Sequence, residues 1–413
     1  MLESIANLGG KGLGLIKLSE LASKYSYEVP DFFIIPSDNS KSEIEILEKA
    51  QGLKGIGNYS VRSSSPYEDS QNHSFAGIFE THLRVPISQL IEAVDSVKRS
   101  ATSEKAREYT RVRGLTLEDR MAVIIQRMVE PDLAGVIYST LSDFPLALSI
   151  EFCNGDGRGI VERRHRQFEI HDFYKKKLKS IFVSETGIED TVVESIRSFR
   201  TGFENQGWNM EEVAMMSQKL EKEFGFPLDL EFAWTYQNRR GILHLLQARA
   251  LTDVQPLQKI TLPEVSKKSV LVRSQVVRGI GEYEGPVVVY PYRYSSAMGS
   301  SLAERDLRQI DSKFSTGYVL FIPHLHNTLI DLDSFTPNKK AIVEYGFAAR
   351  SCHALTVCRE KGILYMGDIG RKGERHYQEI GFAKAQAELL AKIKTGDIVR
   401  IVSDGRRALA YKV

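Results

Sequence analysis

Leu228-Asp229-Leu230-Glu231-Phe232-Ala233-Trp234-Thr235-Tyr236, the polar break Asn238-Arg239-Arg240-Gly241, and Ile242-Leu243-His244-Leu245-Leu246-Gln247-Ala248-Arg249 are the residues from which the rest of the chain is best read. Two strand-like apolar runs flank a short segment headed by asparagine, a pattern that predicts a β-hairpin. Successive side chains of a strand point to opposite faces, so Asp229 and Glu231 can share one face with Gln247 and Arg249. Glu231 and Gln247 carry hard oxygens, and Mg²⁺ in nucleotide sites is held by one or two such protein oxygens plus the phosphates. Arg249 adds a fixed positive charge. The same residues also suit a buried Glu–Arg ion pair.

Arg62-Ser63-Ser64-Ser65, Glu68-Asp69 and Ser74-Phe75-Ala76-Gly77 lie upstream. A guanidinium flanked by hydroxyls and followed by a small-residue turn can grip phosphate oxygens while backbone N–H groups close over them. An ordinary Ser-rich loop with a surface arginine has the same composition. Further upstream, Gly9-Gly10-Lys11-Gly12 precedes Leu13, Ile16 and Leu21, whose spacing predicts a helix of roughly 12 residues opened by a glycine loop. That layout suits a phosphate. Leu90, Ile91, Val94 and Val97 mark one apolar helix face behind Ser88 as the expected cap. Met121 to Val129 and Gly135 to Tyr138 read as buried strands.

Downstream, Ala349-Arg350-Ser351-Cys352-His353-Ala354-Leu355-Thr356-Val357-Cys358 is followed by Arg359-Glu360-Lys361-Gly362. A histidine in the first turn of a helix sits where amide N–H groups and the helix dipole favour a phosphoryl group, and neutral imidazole is a competent nucleophile. A hydrogen-bonded structural histidine is the other reading of this residue alone. The hydrophobic pattern lapses from Asp253 to Lys268, interrupted by Pro256 and Pro263, and marks the main domain boundary. Beyond it, Val287 to Tyr292, Tyr318 to Ile322, Ala341 to Tyr345, Ile398 to Val402 and Ala408 to Val413 read as strands of a compact α/β domain. The clusters Arg163-Arg164-His165-Arg166 and Lys175-Lys176-Lys177 suit a solvated strand face or loop, or a polyanion site.

A chain of 413 residues is too long for one core and fits two or three domains. Lys+Arg 55 against Asp+Glu 53 leaves a net charge of +2, so no global field gathers nucleic acid or an acidic membrane. Cys153, Cys352 and Cys358 form no CxxC pair, which argues against a disulfide framework or zinc site and for a reducing, cytoplasmic location. No segment approaches the roughly 20 apolar residues that span a bilayer, and no signal peptide is legible at the N-terminus.

Taken in order, these segments resemble the phosphoenolpyruvate synthase and pyruvate phosphate dikinase family. Leu8-Gly9-Gly10-Lys11-Gly12 with Val29-Pro30-Asp31-Phe32 is similar to its GGKG…VPxGF start, with Asp31 in place of glycine. Val61-Arg62-Ser63-Ser64, Glu68-Asp69 and Ser74-Phe75-Ala76-Gly77 resemble its RSS…ED…SFAG stretch, and Gln126-Arg127-Met128-Val129 with Ala134-Gly135-Val136 its QxMV…SGV strands. Asp229-Leu230-Glu231-Phe232 with Leu246-Gln247-Ala248-Arg249 resembles DIEW…LQxRP, and His353 falls on the phosphorylated histidine of TSHAA…ARExGIP. Cys352, Phe347 and Leu364 depart from that last motif, and Glu151 to Val161 match the GLGE…G segment loosely.

The resemblance implies a mixed α/β chain: an ATP-grasp nucleotide-binding domain over 1–252, a linker over 253–268, and a small α/β swivelling phosphohistidine domain over 269–413. Lys11 and Arg62 would bind ATP phosphates, with the Gly77 loop over them; Gln126, Met128 and Asp229 would complete the nucleotide site. Glu231 and Gln247 would carry Mg²⁺, and Arg249 would sit at the transferring phosphates. His353 would then take the β-phosphoryl group of ATP, releasing AMP and phosphate. The resemblance ends at Val413, short of the family's pyruvate-binding barrel, which implies a different acceptor: a small molecule or a partner subunit. A non-catalytic nucleotide-sensing or scaffold module and a plain γ-phosphoryl kinase are the alternatives.

Overall fold

The computed structural model describes residues 2–38, 41–55, 57–65, 69–70, 73–74, 79–112, 120–142, 145–155, 169–176, 179–185, 207–251, 254, 260–274, 276–290, 308–322, 338–345, 358, 362–367 and 382–413. The chain runs α1 (Leu2–Tyr25), β1 (Phe32–Ile35), α2 (Glu43–Gly52), β2 (Tyr59–Ser64), β3 (Asp69–Ser70), β4 (His73–Ser74) and β5 (Thr81–Val85). After a 3₁₀ turn (Ile87–Gln89) come α3 (Leu90–Ser100), α4 (Glu104–Val112), β6 (Ala122–Arg127), β7 (Leu133–Tyr138), β8 (Ala147–Asn154), β9 (Glu169–Tyr174) and β10 (Lys179–Glu185). There follow α5 (Met210–Phe224), β11 (Leu228–Gln237), β12 (Arg240–Ala250), β13 (Val270–Ser274), β14 (Val276–Arg278) and β15 (Ile280–Val289). Last are β16 (Tyr318–Ile322), β17 (Lys339–Glu344), β18 (Leu364–Gly367), α6 (Phe382–Lys392), β19 (Ile398–Asp404) and β20 (Ala408–Lys412). The class is mixed α/β.

The chain divides into two compact units, the first being 1–140, 154–157 and 200–253. Its four-stranded sheet has the order β1-β6-β2-β5. On one face Tyr59, Val61, Val123 and Ile125 join Leu90, Ala93, Val94 and Val97 of α3 in a buried core. The apolar spacing of α3 therefore seats that helix against the sheet. Its cap differs from the expectation: Ser88 lies in the 3₁₀ turn, and Gln89 precedes the helix without a side-chain capping bond. The turn already orders the chain ahead of α3. On the sheet's other face are Arg62 and Ser64, two residues apart, with Ile124 and Ala122 opposite them in register.

β11 and β12 form the expected hairpin, and β7 flanks β11 antiparallel. Asn238 and Arg239 both adopt positive φ, 53° and 65°, as a two-residue turn matched to strand twist requires. Trp208 stacks on Phe232 at 5.6 Å and meets Trp234 edge-on, burying the hairpin's apolar side.

The glycine-rich N-terminus does not form the expected loop, because helix extends on both sides of it. α1 has one break, Gly9, at φ 69° and ψ 168°. Here glycine serves close approach: a Cβ on Gly9 would lie 2.3 Å from the Ser64 carbonyl oxygen, and one on Gly14 2.2 Å from that of Ala248. Such contacts exclude any side chain. The helix is thereby pressed against both β2 and β12.

The second unit comprises 141–153, 158–199 and 254–413. Its β8, β9 and β10 are antiparallel neighbours. Its eight-stranded sheet has the order β13-β20-β19-β15-β16-β17-β18-β14, with β15 to β18 parallel. The first and last strands of that order, β13 and β14, are successive pieces of chain, and Ser274 at their junction donates its hydroxyl to Gly367 O. Val287, Val319, Phe321, Val343, Met366 and Ile401 belong to the core of this unit.

Candidate active site

Four of the predicted residues meet on the hairpin. Asp229 of β11 pairs in register with Arg249 of β12, and Glu231 with Gln247. Arg249 donates from Nε and Nη2 to Oδ2 of the buried Asp229 at 2.9 and 2.7 Å. Gln247 donates from Nε2 to Oε1 of Glu231 at 3.2 Å. Arg62, carried by β2, donates from Nη2 to the other carboxylate oxygen, Oε2 of Glu231. The Glu–Arg pairing expected within the hairpin is replaced by two others, Arg249 with Asp229 and Glu231 with Arg62 of a different sequence motif.

Lys11 stands on the α1 segment just past the Gly9 kink and is buried. Glu231 therefore lies in a field of three cations. Burial pushes its carboxyl pKa up, but the neighbouring Arg62 guanidinium, with Arg249 and Lys11, more than offsets this and holds it below the ordinary carboxylate value. The group stays anionic despite its surroundings.

Gln247 is 3% exposed, and its Oε1 is buried without a hydrogen-bond partner. Leaving a buried amide oxygen unsatisfied is costly, and such atoms mark sites where another group is received. A hard cation between this oxygen and the Glu231 carboxylate would satisfy it, so the donor set fits Mg²⁺. Among the described residues no cluster of three or more His, Cys, Asp or Glu side chains could hold a metal. One carboxylate and one amide leave the remaining positions to phosphates and water, as Mg²⁺ prefers.

Gln126 lies on β6, two residues from Ile124, the register partner of Arg62, and Met128 follows the end of that strand. Gln126 is buried, with Nε2 3.5 Å from Pro30 O, and the Met128 amide donates to Asn58 O at 3.0 Å. Gly77 and His353 lie outside the described residues, as do the basic clusters at 163–166 and, in part, 175–177. Cys153 and Cys358 are buried.

Sequence reasoning passed over Ser64 as an individual residue. Its hydroxyl accepts from Gly12 N at 2.9 Å and donates to Leu8 O at 2.6 Å. It also missed His244, buried on β12, with Nε2 3.0 Å from Thr235 Oγ1 and Nδ1 3.6 Å from Glu28 Oε2. Neither carries a local signal, since each is selected by long-range packing.

A mixed α/β chain whose paired strands present a carboxylate and an unsatisfied amide oxygen among three cations offers contacts that suit a polyanion. Residues 40–268, more than half of the chain, match the family model described as pyruvate phosphate dikinase, AMP/ATP-binding domain. The chain belongs to that family, one of phosphotransferase enzymes, and the hairpin cluster lies within its nucleotide-binding domain. A probable phosphoenolpyruvate synthase of Pyrococcus abyssi is 28% identical over 377 residues, 85% of this chain and 40% of the relative. An uncharacterized phosphotransferase, YvkC of Bacillus subtilis, is 26% identical over 297 residues, 61% of this chain and 34% of the relative. The chain thus spans well under half the length of these relatives. The solved structure of PH1788 from Pyrococcus horikoshii aligns with 57% of this chain and 88% of its own, at 12% identity and a TM-score of 0.34. No helix among the described residues is long and apolar enough to cross a membrane.

Proposed function

We propose that the chain is the ATP-consuming part of a dikinase-type phosphotransferase, with residues 1–252 an ATP-grasp domain, 253–268 a linker and 269–413 a swivelling carrier of His353. The observation that carries this reading is the register pair Glu231–Gln247, a carboxylate and a buried amide oxygen without a partner, ringed by Arg62, Arg249 and Lys11. The nucleotide phosphates would take over Arg62 and Lys11, while Asp229 keeps Arg249 oriented at the transferring group. Mg²⁺ held by Glu231 and Gln247 would neutralise phosphate charge. Phosphoryl transfer needs positioning and charge stabilisation more than covalent help, and this side-chain set supplies both.

The imidazole of His353 attacks the β-phosphorus, the bond from that phosphorus to the α-phosphate oxygen breaks, and AMP leaves. The resulting pyrophosphohistidine loses its outer phosphate to water or phosphate, leaving phosphohistidine for an acceptor that is a small molecule or a partner subunit. Incubation with Mg²⁺ and β- or γ-labelled ATP tests the scheme. The expected result is AMP, with β-label retained on the wild type and absent from His353→Ala. ADP as the sole product would identify a γ-phosphoryl kinase, and no turnover with intact ATP binding would identify a sensing module.

A further inference from the structure

The N–H of Gly12 and the C=O of Leu8 are the i and i−4 groups that a regular α-helix joins directly. Between them lies Gly9, whose φ of 69° and ψ of 168° are incompatible with helix. The Ser64 hydroxyl reaches both groups, accepting from Gly12 N at 2.9 Å and donating to Leu8 O at 2.6 Å. It is completely buried, and the absence of a Cβ on Gly9 lets the two backbones come close enough for this bridge. Lys11 is the residue immediately before the bonded Gly12 amide. Ser64 also shares a strand face with Arg62, so one strand bears the guanidinium that holds Glu231 and anchors the helix that brings the ammonium group.

We propose that Ser64 is a positioning residue for nucleotide binding: its hydroxyl fixes the kink of the N-terminal helix and thereby sets Lys11 beside Glu231. The inference rests on the reading of this cluster as the ATP site. Without the bridge, the Leu8–Gly12 turn can slide or rotate against β2, and a long flexible lysine side chain then finds the phosphates less often.

The test is equilibrium binding of Mg·ATP to the full chain in the His353→Ala background, for four proteins: parent, Ser64→Ala, Lys11→Met, and the double variant. Loss of one hydrogen-bonded bridge predicts about fivefold weaker binding for Ser64→Ala. No further weakening is expected when the same change is made in Lys11→Met, because Ser64 acts through Lys11. Equal losses in both backgrounds, or a lowered melting temperature with unchanged affinity, would reduce Ser64 to a structural residue and overturn the inference. If Ser64→Ala does not fold, the near-isosteric Ser64→Cys is measured in the same cycle, with the same outcomes deciding. Equal affinity of parent and Lys11→Met would remove Lys11 from the site and overturn the site reading as well. A loss confined to Lys11→Met overturns this inference alone.

Discussion

Arg62 on β2 and Glu231 on β11, 169 positions apart, are joined by a hydrogen bond from Nη2 to Oε2. Each is a group the nucleotide would claim, the guanidinium for phosphate and the carboxylate for the metal. Under the proposed reading, nucleotide binding would exchange this pair for contacts to phosphate and metal.

This pair gives acid stability a definite sign. The folded pKa of Glu231 lies below its ordinary 4.5, so the folded state binds fewer protons than the unfolded state as the group titrates. The resulting stabilisation is full above 4.5 and disappears as pH falls through the folded value. In urea titrations across acid pH, Arg62→Met is expected to show a shallower loss of stability below 4.5 than wild type. Superimposable acid limbs would refute the coupling.

Gln247→Leu removes the orphaned amide oxygen while filling the same space. The same change deletes the Nε2 donor to Oε1 of the Glu231 carboxylate, so the metal-free melting temperature should fall by a few degrees. The Mg²⁺ concentration needed to protect the protein against heat in the presence of ATP should rise on the order of tenfold. An unaltered Mg²⁺ dependence excludes this oxygen from the metal.

Arg249 holds Asp229 through two nitrogens of one rigid fork. Lysine offers a point charge on a flexible stem and cannot reproduce that orientation. Initial rates of AMP release should fall about tenfold in kcat for Arg249→Lys, with a smaller change in KM for ATP. A wild-type kcat would remove Arg249 from the transferring group.

Gly14 faces Ala248 O with no room for a methyl group, the collision being with backbone and not a movable side chain. Gly14→Ala should therefore lower stability by about 2 kcal/mol in denaturant titration and weaken ATP binding, since α1 must lift from β12. Gly52, where a Cβ meets nothing within 4 Å, provides the control, and Gly52→Ala should be close to neutral.

His244 also couples folding to pH. Burial lowers its pKa from the ordinary 6.5, partly countered by Glu28, so the unfolded chain takes up a proton more readily than the folded one. Stability should accordingly decrease as pH drops below 6.5 and the unfolded state gains protons. Replacing the ring by His244→Gln should flatten that part of the profile. A slope that survives the substitution must come from other groups.

The hairpin was legible because its evidence is local: alternating strand residues, an asparagine able to adopt positive φ, and four polar side chains with period two. The strand at 318–322 was legible from local pattern, as were the first five residues, 398–402, of the strand that runs to Asp404, and the apolar face of α3. The glycine stretch was misread because flexibility and close approach call for the same residue, and only the neighbouring Ser64 and Ala248 carbonyls distinguish them. Ser88 resembled a cap because composition carries no information about a preceding 3₁₀ turn.

By itself the sequence determined the family, the hairpin and the residue types needed for a metal-bound polyphosphate, all properties of short segments whose chemistry survives without neighbours. Tertiary structure alone decided that Arg62 holds Glu231, that Gln247 keeps one oxygen unsatisfied, and that Ser64 bridges the kink of the N-terminal helix. Those outcomes depend on strand register and helix contact between segments far apart in the chain. A one-residue shift of β2 would exchange the faces of Arg62 and Ser63 without changing a letter of the sequence.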